Sequence, residues 1–527
     1  MGFNTDVVIV GSGPTGLMLA CQLQRFGINF RIIDKQIDRA KESRAFGIQA
    51  KSMEIFQNLG LAEEFLKHAQ AGQKAEFYFN GQFKFAINFS DIDVQATPFP
   101  AIYFLPQSET EQILIDYLQA RQITVERQFE LITFTQDSDG VTAIVKNNRT
   151  GEDETIVCRY IVGCDGAHST VRSLLEIPFV GASYLQNFIL ADVEVNWKLP
   201  IESFSVFLAK EGNLLCIPLK HNLRRIMITG MGGDSLDDKP PTLQEIEHFM
   251  NKVAATPVKL DNPVWITRFH LHHRAVYKCR LNRAFLAGDA AHIHTPVGAQ
   301  GMNTGLQDAS NLAWKIALVL KYHTPTTLLK SYQAERHPVG QVLVHTTDRI
   351  FGWITSKNSI ITTFRQYLIP IVMRLVLKSK QVRRFMFNFI SELSIHYEPN
   401  AFIVEKTERA DKKFLKIKAG YRAPDAPTEN SSLFELFRQK PFNILLFNVS
   451  DETENFSKVL ALIAKYSQLI AVHQFTDSHK LEVLFDRYGI SQTGIYFVRP
   501  DGYIGFRAFG NKLSLLLKYL KLYGFSV

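Results

Sequence analysis

Apolar residues recur along this 527-residue chain in two periods, and the points where the period changes mark its elements. Asp6 to Val10 is an unbroken β-branched run, the pattern of a strand buried on both faces. Pro14 to Phe26 then carries Leu17, Ala20, Cys21 and Leu23 at helical spacing, and Phe30 to Ile33 returns to a strand. Strand, helix and strand in succession make a βαβ unit, so the fold opens as α/β with a parallel sheet. Ile113 to Leu118 reads as helical, and Gly140 to Ile156 as a hairpin or meander inserted before a strand at Tyr160 to Val162. From Phe179 to Tyr277 the pattern changes to short alternating strands, for example Phe204 to Phe207 and Arg225 to Thr229, which predicts a separate antiparallel layer. Arg283 to Ala287 is another buried strand. A long helix is predicted over Asn303 to Leu320, with Leu306, Ala309, Ala313, Ile316, Ala317 and Leu320 on its inner face.

Trp353 to Ile395 is helical, apolar and basic, with Arg365, Arg374, Lys378, Arg383 and Arg384 set among Leu, Ile, Val and Phe. It reads first as a helical pair packed on the domain with a solvated basic face. Weak contact with a membrane surface is the second reading. Ala423-Pro424-Asp425-Ala426-Pro427 reads as a linker turn. Beyond it, strands at Asn443 to Val449, Leu469 to Phe475, Gly494 to Val498 and Tyr503 to Phe506 are joined by helices at Phe456 to Tyr466 and Glu482 to Tyr488. Leu513, Leu516, Leu517 and Leu520 stripe a last helix. The expected organisation is a first domain in two parts, 1–178 and 283–345, enclosing a β-sheet domain at 179–282. A helical segment, 346–400, and a C-terminal α/β domain, 401–527, follow.

Composition narrows the class. Hydrophobic residues make up 46% and charged residues 21% of the chain, as in globular proteins, and length implies several modules. The net charge of +8 reads as cations spread along the chain, without the arm or block of a nucleic-acid binder, so no nucleic-acid partner is expected. Five cysteines with no CxxC pair point to reduced thiols in the cytoplasm. The first strand begins too early to leave room for a signal peptide, and no uncharged apolar run approaches the roughly 20 residues of a spanning helix. The 40 phenylalanines suit either core packing or an apolar cavity for a flat ligand, and composition does not separate the two.

Chemistry enters with Gly11-Ser12-Gly13-Pro14-Thr15-Gly16, between a strand and a helix. Gly11 permits the tight turn, Gly13 lets backbone approach a pyrophosphate, and Gly16 lets helix and strand pack closely. The helix N-terminus offers N–H groups to phosphates. Asp34, followed by Lys35, ends the next strand at the spacing of a ribose-binding carboxylate, so a dinucleotide site is expected. Two further strand-ending turns follow, Gly163-Cys164-Asp165-Gly166-Ala167-His168-Ser169-Thr170-Val171-Arg172 and Gly288-Asp289-Ala290-Ala291-His292. His292 and His294, like His270, His272 and His273, lack a companion carboxylate or thiolate, so no metal is expected.

In this order the three turns resemble the fingerprints of group A flavoprotein monooxygenases, the para-hydroxybenzoate and phenol hydroxylase family. The chain is most similar to the subset that acts on polyketide or rifamycin-type phenols and carries a thioredoxin-like tail. The resemblance implies an FAD-binding Rossmann-type domain, an antiparallel substrate domain, and NADPH or NADH as transient co-substrate. The implied reaction is hydroxylation of a bulky aromatic with O2 through a flavin C4a-hydroperoxide. It gives Asp289 the ribityl chain of FAD, Asp165 a role toward FAD and nicotinamide nucleotide, and Arg172 a nucleotide phosphate. Arg44 falls near flavin and substrate as a positioning residue, Gln107 on the FAD ribose, and Leu131 beside the adenine. The Gly-rich stretch from Pro296 through Gly301 to Met302 and Asn303 feeds a helix whose N-terminal amides would stabilise negative charge on the reduced flavin. Asp34 for a commoner glutamate, Cys164 and His168 in the second turn, and Asn282-Arg283 before the third strand depart from the family pattern without removing a needed carboxylate or glycine. No cysteine follows Cys279, so the tail cannot do thiol–disulfide chemistry. A structural or oligomer-contact role is expected for it, with a homodimer as the assembly. The four tryptophans do not form the WxWxIP signature of tryptophan halogenases. A flavin-dependent reductase or epoxidase of an isoprenoid lipid, or a non-catalytic flavin-fold binder, are the alternatives.

Overall fold

The Val7–Val10 strand is the centre of a parallel sheet, and three of its four side chains are wholly buried. In the computed structural model it pairs in parallel with Phe30–Asp34 on one side and Tyr160–Gly163 on the other, and the latter pairs in parallel with Ala284–Leu286. The described residues are 3–39, 45–89, 91–92, 96–197, 203–220, 222–231, 239–295, 297–356, 358–406, 417–450, 453–476 and 479–526. Parallel neighbours end at the same edge of a sheet. The turns that begin at Gly11, Cys164 and Ala287 therefore emerge side by side, although they are far apart in sequence. The helices Pro14–Arg25 and Gly301–Lys321 pack on each other over this sheet. The second helix matches the predicted apolar stripe: Leu306, Ala309, Ala313, Ile316 and Ala317 are all fully buried.

A three-stranded antiparallel meander, Phe129–Gln136, Val141–Asn147 and Asp153–Cys158, stands where a hairpin or meander is expected. The second layer is an eight-stranded sheet. Its longest strands are an adjacent pair of 18 residues each near one edge, Phe179–Asn196 and Lys259–Val276, longer than the short alternating pattern suggests. Bulges along the pair break the two-residue alternation, which hides a single long strand from a periodicity count. Lys74–Phe79 and Gln82–Asn88 also join this sheet, with Lys74–Phe79 parallel to Ser203–Leu208. Part of the 1–178 span thus belongs to the second layer, because a hairpin's own sequence does not say which sheet edge it will extend.

The helix Lys330–Thr355 runs through Pro338. After it come Ser359–Thr363, a π-turn at Phe364–Leu368, Ile369–Val376 and Lys380–Ile390, with a bend of 110° before the last. No single described helix is long and apolar enough to cross a membrane. The C-terminal sheet runs in the order Val404–Lys406, Ile504–Phe509, Gly494–Val498, Phe442–Phe447, Ile470–Phe475. Phe442–Phe447 is parallel to Ile470–Phe475 and antiparallel to Gly494–Val498, a thioredoxin-like arrangement.

The segment read as a linker turn is instead packed. Ala423 N–H donates to Gly502 O at 2.9 Å, Asp425 N–H donates to Ala96 O at 3.0 Å, and Arg422 pairs with Glu54 at 2.7 Å. Pro and Ala predict a turn correctly but carry no information about what it packs on. A buried charge cluster locks the C-terminal domain further. Arg499 reaches both oxygens of Glu335 at 2.8 Å, Lys315 Nζ reaches Glu335 at 2.7 Å, and Asn311 donates to Asp501 at 3.0 Å. Burial would raise the Glu335 carboxyl, yet Arg499 and Lys315 hold it down at about 2. Replacing Arg499 with Ala leaves Glu335 and Asp501 without their shared cation inside the protein, a loss on the order of 3–5 kcal/mol. Thermal unfolding followed by circular dichroism should show one lowered transition for the whole chain. Separate melting of the C-terminal domain at unchanged main-domain stability would contradict this coupling.

Candidate active site

The first turn is built by contact. Gly11 has φ +97°, and a Cβ there would lie 2.5 Å from Cys164 O; one at Gly16 would lie 2.0 Å from Gly11 O. Gly13 is different: a Cβ would meet nothing within 4 Å, because this residue faces an open cleft. The helix starting at Pro14 has no side-chain cap, so its first-turn amides have no side-chain acceptor. Asp34 accepts from Ser12 N–H and Ser12 Oγ, both at 2.7 Å, which ties the turn to the second strand. Lys35 is exposed.

In the second turn the carboxylate of Asp165 accepts from Ser169 Oγ at 2.5 Å, Thr170 N–H at 2.7 Å and Val171 N–H at 3.1 Å. It staples the start of the Thr170–Leu174 helix, and Cys164, Gly166 and Ala167 line the cleft in its place. Arg172 donates to Ala290 O at 3.0 Å and Ala167 O at 2.7 Å and lies over the Phe179 ring. Its guanidinium clamps the second turn to the third, which differs from the phosphate contact expected of it. Sequence alone gives the motif arginine no partner, and the nearby carbonyls of the third turn supply one.

In the third turn a Cβ on Gly288 would lie 2.5 Å from Thr15 Oγ1, so the first and third turns touch. Asp289 is exposed and lines the cleft, as do Gly13, Pro14, Thr15, Gln107, Gly301 and Met302. Gln107 Nε2 also donates to Glu111 at 2.8 Å. Leu131 is buried in the meander and is not among the cleft residues. The Asn303 side chain donates to Gly47 O at 2.8 Å and Ala299 O at 2.7 Å and accepts from Gln49 N–H at 2.9 Å. Arg44 and Pro296 lie outside the described residues. Thus the structure gathers Gly13, Gln107, Asp289, Gly301 and Met302 around one space of about 690 Å³, while Asp165, Arg172, Leu131 and the Asn303 side chain shape its walls or the surrounding fold.

A second cavity of about 320 Å³ adjoins the first, and Phe46, Met227 and Ala299 border both. Phe77, Phe89, Phe104, Phe188, Phe204 and Phe351 line it, so part of the phenylalanine excess serves a cavity. Two residues at this junction escaped the sequence reading. Arg225 is fully buried, forms a two-point pair with Asp192 at 2.8 and 2.7 Å, and lies over the Phe46 ring. Gln49 donates to Gly298 O at 2.7 Å and leaves its Oε1 buried and without a partner. A lone arginine in a strand and a glutamine before a helix carry no motif.

Beside the third turn, Arg336 and His292 each contact Asp308 at 2.7 Å and, against the effect of burial, hold its carboxyl at about 2. His294, in the cleft wall, is pushed down to about 3 by removal from water and by the neighbouring His292, so its ring is neutral. His294 Nε2 and Thr295 Oγ1 are buried without partners. The cleft therefore fits an extended dinucleotide: polar atoms in its wall await a ligand, and Gly13 leaves the room a pyrophosphate requires.

Residues 4–347 match the family described as FAD binding domain. The chain belongs to that family. It is an FAD-dependent monooxygenase of the aromatic-hydroxylase type. It is 32% identical to a rifampicin monooxygenase of Streptomyces venezuelae over 396 residues, covering 75% of this chain and 79% of that one. It is 30% identical to a flavin-dependent monooxygenase of Mycobacteroides abscessus over 518 residues, covering 95% and 96%. The anhydrotetracycline hydroxylase OxyS of Streptomyces rimosus superposes over 99% of this chain and 100% of its own, with a TM-score of 0.74 and 26% identity. These relatives do not favour the reductase, epoxidase or non-catalytic alternatives.

Two predictions test this monooxygenase site. Gly13→Ala should fold with an unchanged melting temperature yet lose bound FAD, read as absorbance at flavin wavelengths, whereas Gly16→Ala should fail to fold normally. Equal FAD content in Gly13→Ala and wild type would refute the assignment. The second concerns Glu392, buried against Thr304 and Gln307, where burial raises its carboxyl to about 8. A carboxyl raised in the folded state stabilises fully below its unfolded value, and that contribution is lost as pH rises through about 8. Between about pH 5 and pH 9 the wild-type melting temperature should fall relative to that of Glu392→Gln; a constant difference would contradict it.

Proposed function

We propose that the monooxygenase hydroxylates a bulky, flat aromatic compound, phenolic or polyketide-like, held in the phenylalanine-lined cavity. The observation that carries this reading is the shared border at Phe46, Met227 and Ala299, which sets an apolar chamber directly against a dinucleotide-shaped cleft. When bound, FAD supplies the activation of O2 and the delivery of one oxygen atom to an electron-rich ring carbon, with NADPH or NADH as the transient source of electrons.

The residues divide the remaining work. Amides at the start of the Pro14–Arg25 helix would hold the pyrophosphate, with Asp34 and Gln107 toward ribose and Asp289 toward the ribityl chain. The N-terminal amides at Met302 and Asn303 would stabilise negative charge at the pyrimidine end. Asn303 itself fixes that loop by clamping Gly47 and Ala299. Arg44, by resemblance, would position substrate against the ring system. The apolar walls exclude water, which an oxygen-transfer site needs. Within them, Gln49 Oε1 and Asn213 Oδ1 are buried acceptors with no protein partner, suited to a phenolic O–H donor. All five cysteines are free and buried, which suits work in a reducing cytoplasm.

The test is a panel of phenols and polyketides scored for accelerated NADPH oxidation, then for a product heavier by one oxygen atom. Leu215→Trp, which fills the cavity, should keep FAD and lose the substrate-stimulated rate. Asn213→Ala should raise KM about tenfold with a smaller change in kcat, the scale of one lost hydrogen bond. Acceleration by no aromatic compound, or full activity in Leu215→Trp, would remove the reading.

A further inference from the structure

The chain's positive charge is not evenly spread. Residues 349–391 contain eight Lys or Arg and no Asp or Glu, which equals the net charge of +8 for the whole chain. The remaining residues therefore carry 51 cations and 51 anions. The excess escapes a search for runs of like charge because apolar residues separate the cations.

Those apolar residues are exposed. Ile360 is 77% exposed, Tyr367 68%, Ile371 59%, Leu375 59% and Phe385 71%. Ile360, Phe364, Tyr367, Ile371 and Leu375 follow one another at three- or four-residue steps and share the outer face. The inner face, through Ile369 and Met373, is also apolar and packs on the core. In the Ile369–Val376 helix only Pro370 is buried, and in Lys380–Ile390 only Phe387. A helix apolar on both faces, with one face left in water, lacks a solvent for that face. Arg374, Lys378, Lys380 and Arg384 are exposed around it.

We propose that this bent helical pair is a docking surface for an anionic lipid bilayer, into which the outer face inserts while the surrounding cations meet lipid headgroups. Length and bend favour a lying position: the pair turns by 110°, and neither helix alone is long and apolar enough to span. A protein partner with an acidic rim would match the cations, but four of the five ridge residues are purely hydrocarbon and the fifth, Tyr367, joins an apolar ring to one polar tip, a composition that a bilayer boundary satisfies. The same region roofs the phenylalanine cavity, since Phe351, Ile354, Met386 and Ile390 line it. Docking would bring the cavity roof to the lipid surface, so an apolar substrate dissolved in the bilayer would have a short path inward. That consequence rests on the hydroxylase reading; the docking does not.

The experiment is co-sedimentation of the FAD-loaded full chain with vesicles of phosphatidylcholine alone and with one-third phosphatidylglycerol. Binding should be at least tenfold stronger to the anionic vesicles and should weaken at high salt. Ile371→Glu/Leu375→Glu should abolish it, and Lys378→Glu/Lys380→Glu should weaken it at least tenfold, with FAD content and melting temperature unchanged in both. Because all four positions are exposed, loss of binding with retained FAD reports on the surface and not on folding. Absence of binding to anionic vesicles would overturn the proposal. So would light scattering that shows a dimer converted to monomer by Ile371→Glu/Leu375→Glu, which would make the face a contact between copies. Substrate-stimulated NADPH oxidation without vesicles is measured in parallel, so a failed docking test leaves the hydroxylase reading standing.

Discussion

The parallel register of four strands is the constraint on which this molecule depends. Val7–Val10 lies between Phe30–Asp34 and Tyr160–Gly163, with Ala284–Leu286 beyond, and all four run the same way. Because parallel strands deliver their C-terminal ends to one edge, three turns from distant parts of the chain emerge as neighbours. Close contacts then fix their spacing. Gly11 abuts Cys164, Gly288 abuts Thr15, and Arg172 bonds carbonyls of two turns. A slip of one strand would separate the turns and dissolve the cleft, so the cofactor site and the sheet register are one property.

Buried charge extends this rigidity outward. Glu335 and Arg336 are consecutive on one helix and serve different neighbours. Arg336 holds Asp308, which accepts from Gly288 N–H of the third turn, whereas Glu335 holds Arg499 of the C-terminal domain. The thioredoxin-like domain, which has no cysteine, is thereby linked through two adjacent side chains to the helix that supports the cleft. Such pairs add little net stability compared with apolar packing, but they tolerate no misalignment, and their value here is positional.

The two cavities divide recognition by chemistry. The cleft combines glycines and polar side chains such as Thr15, Gln107 and Asp289 with an apolar wall that includes Leu190, Phe269 and Leu271, as a ligand with a polyanionic chain and a flat ring system requires. The adjoining chamber is lined mainly by aromatic and aliphatic side chains, with Met386 and Ile390 supplied by the bent helices, and with only isolated acceptors. Arg225 holds their boundary in place, since it bonds Asp192 within the sheet and packs on Phe46 at the border.

Local physics made much of this legible in the sequence. A β-branched run favours a buried strand, a glycine between strand and helix favours a tight turn, and their spacing with Asp34 points to a dinucleotide site. The Asn303 to Leu320 stripe and the C-terminal strands were readable for the same reason, because each depends on neighbours a few residues away. What sequence could not carry were the choices made across long distances. The hairpin at Lys74–Asn88 could extend either sheet, Arg172 could face phosphate or carbonyl, and the phenylalanines could fill a core or enclose a chamber. Each outcome depends on which surfaces meet once the chain is folded, and a side chain's partner is set by that meeting and not by its own identity.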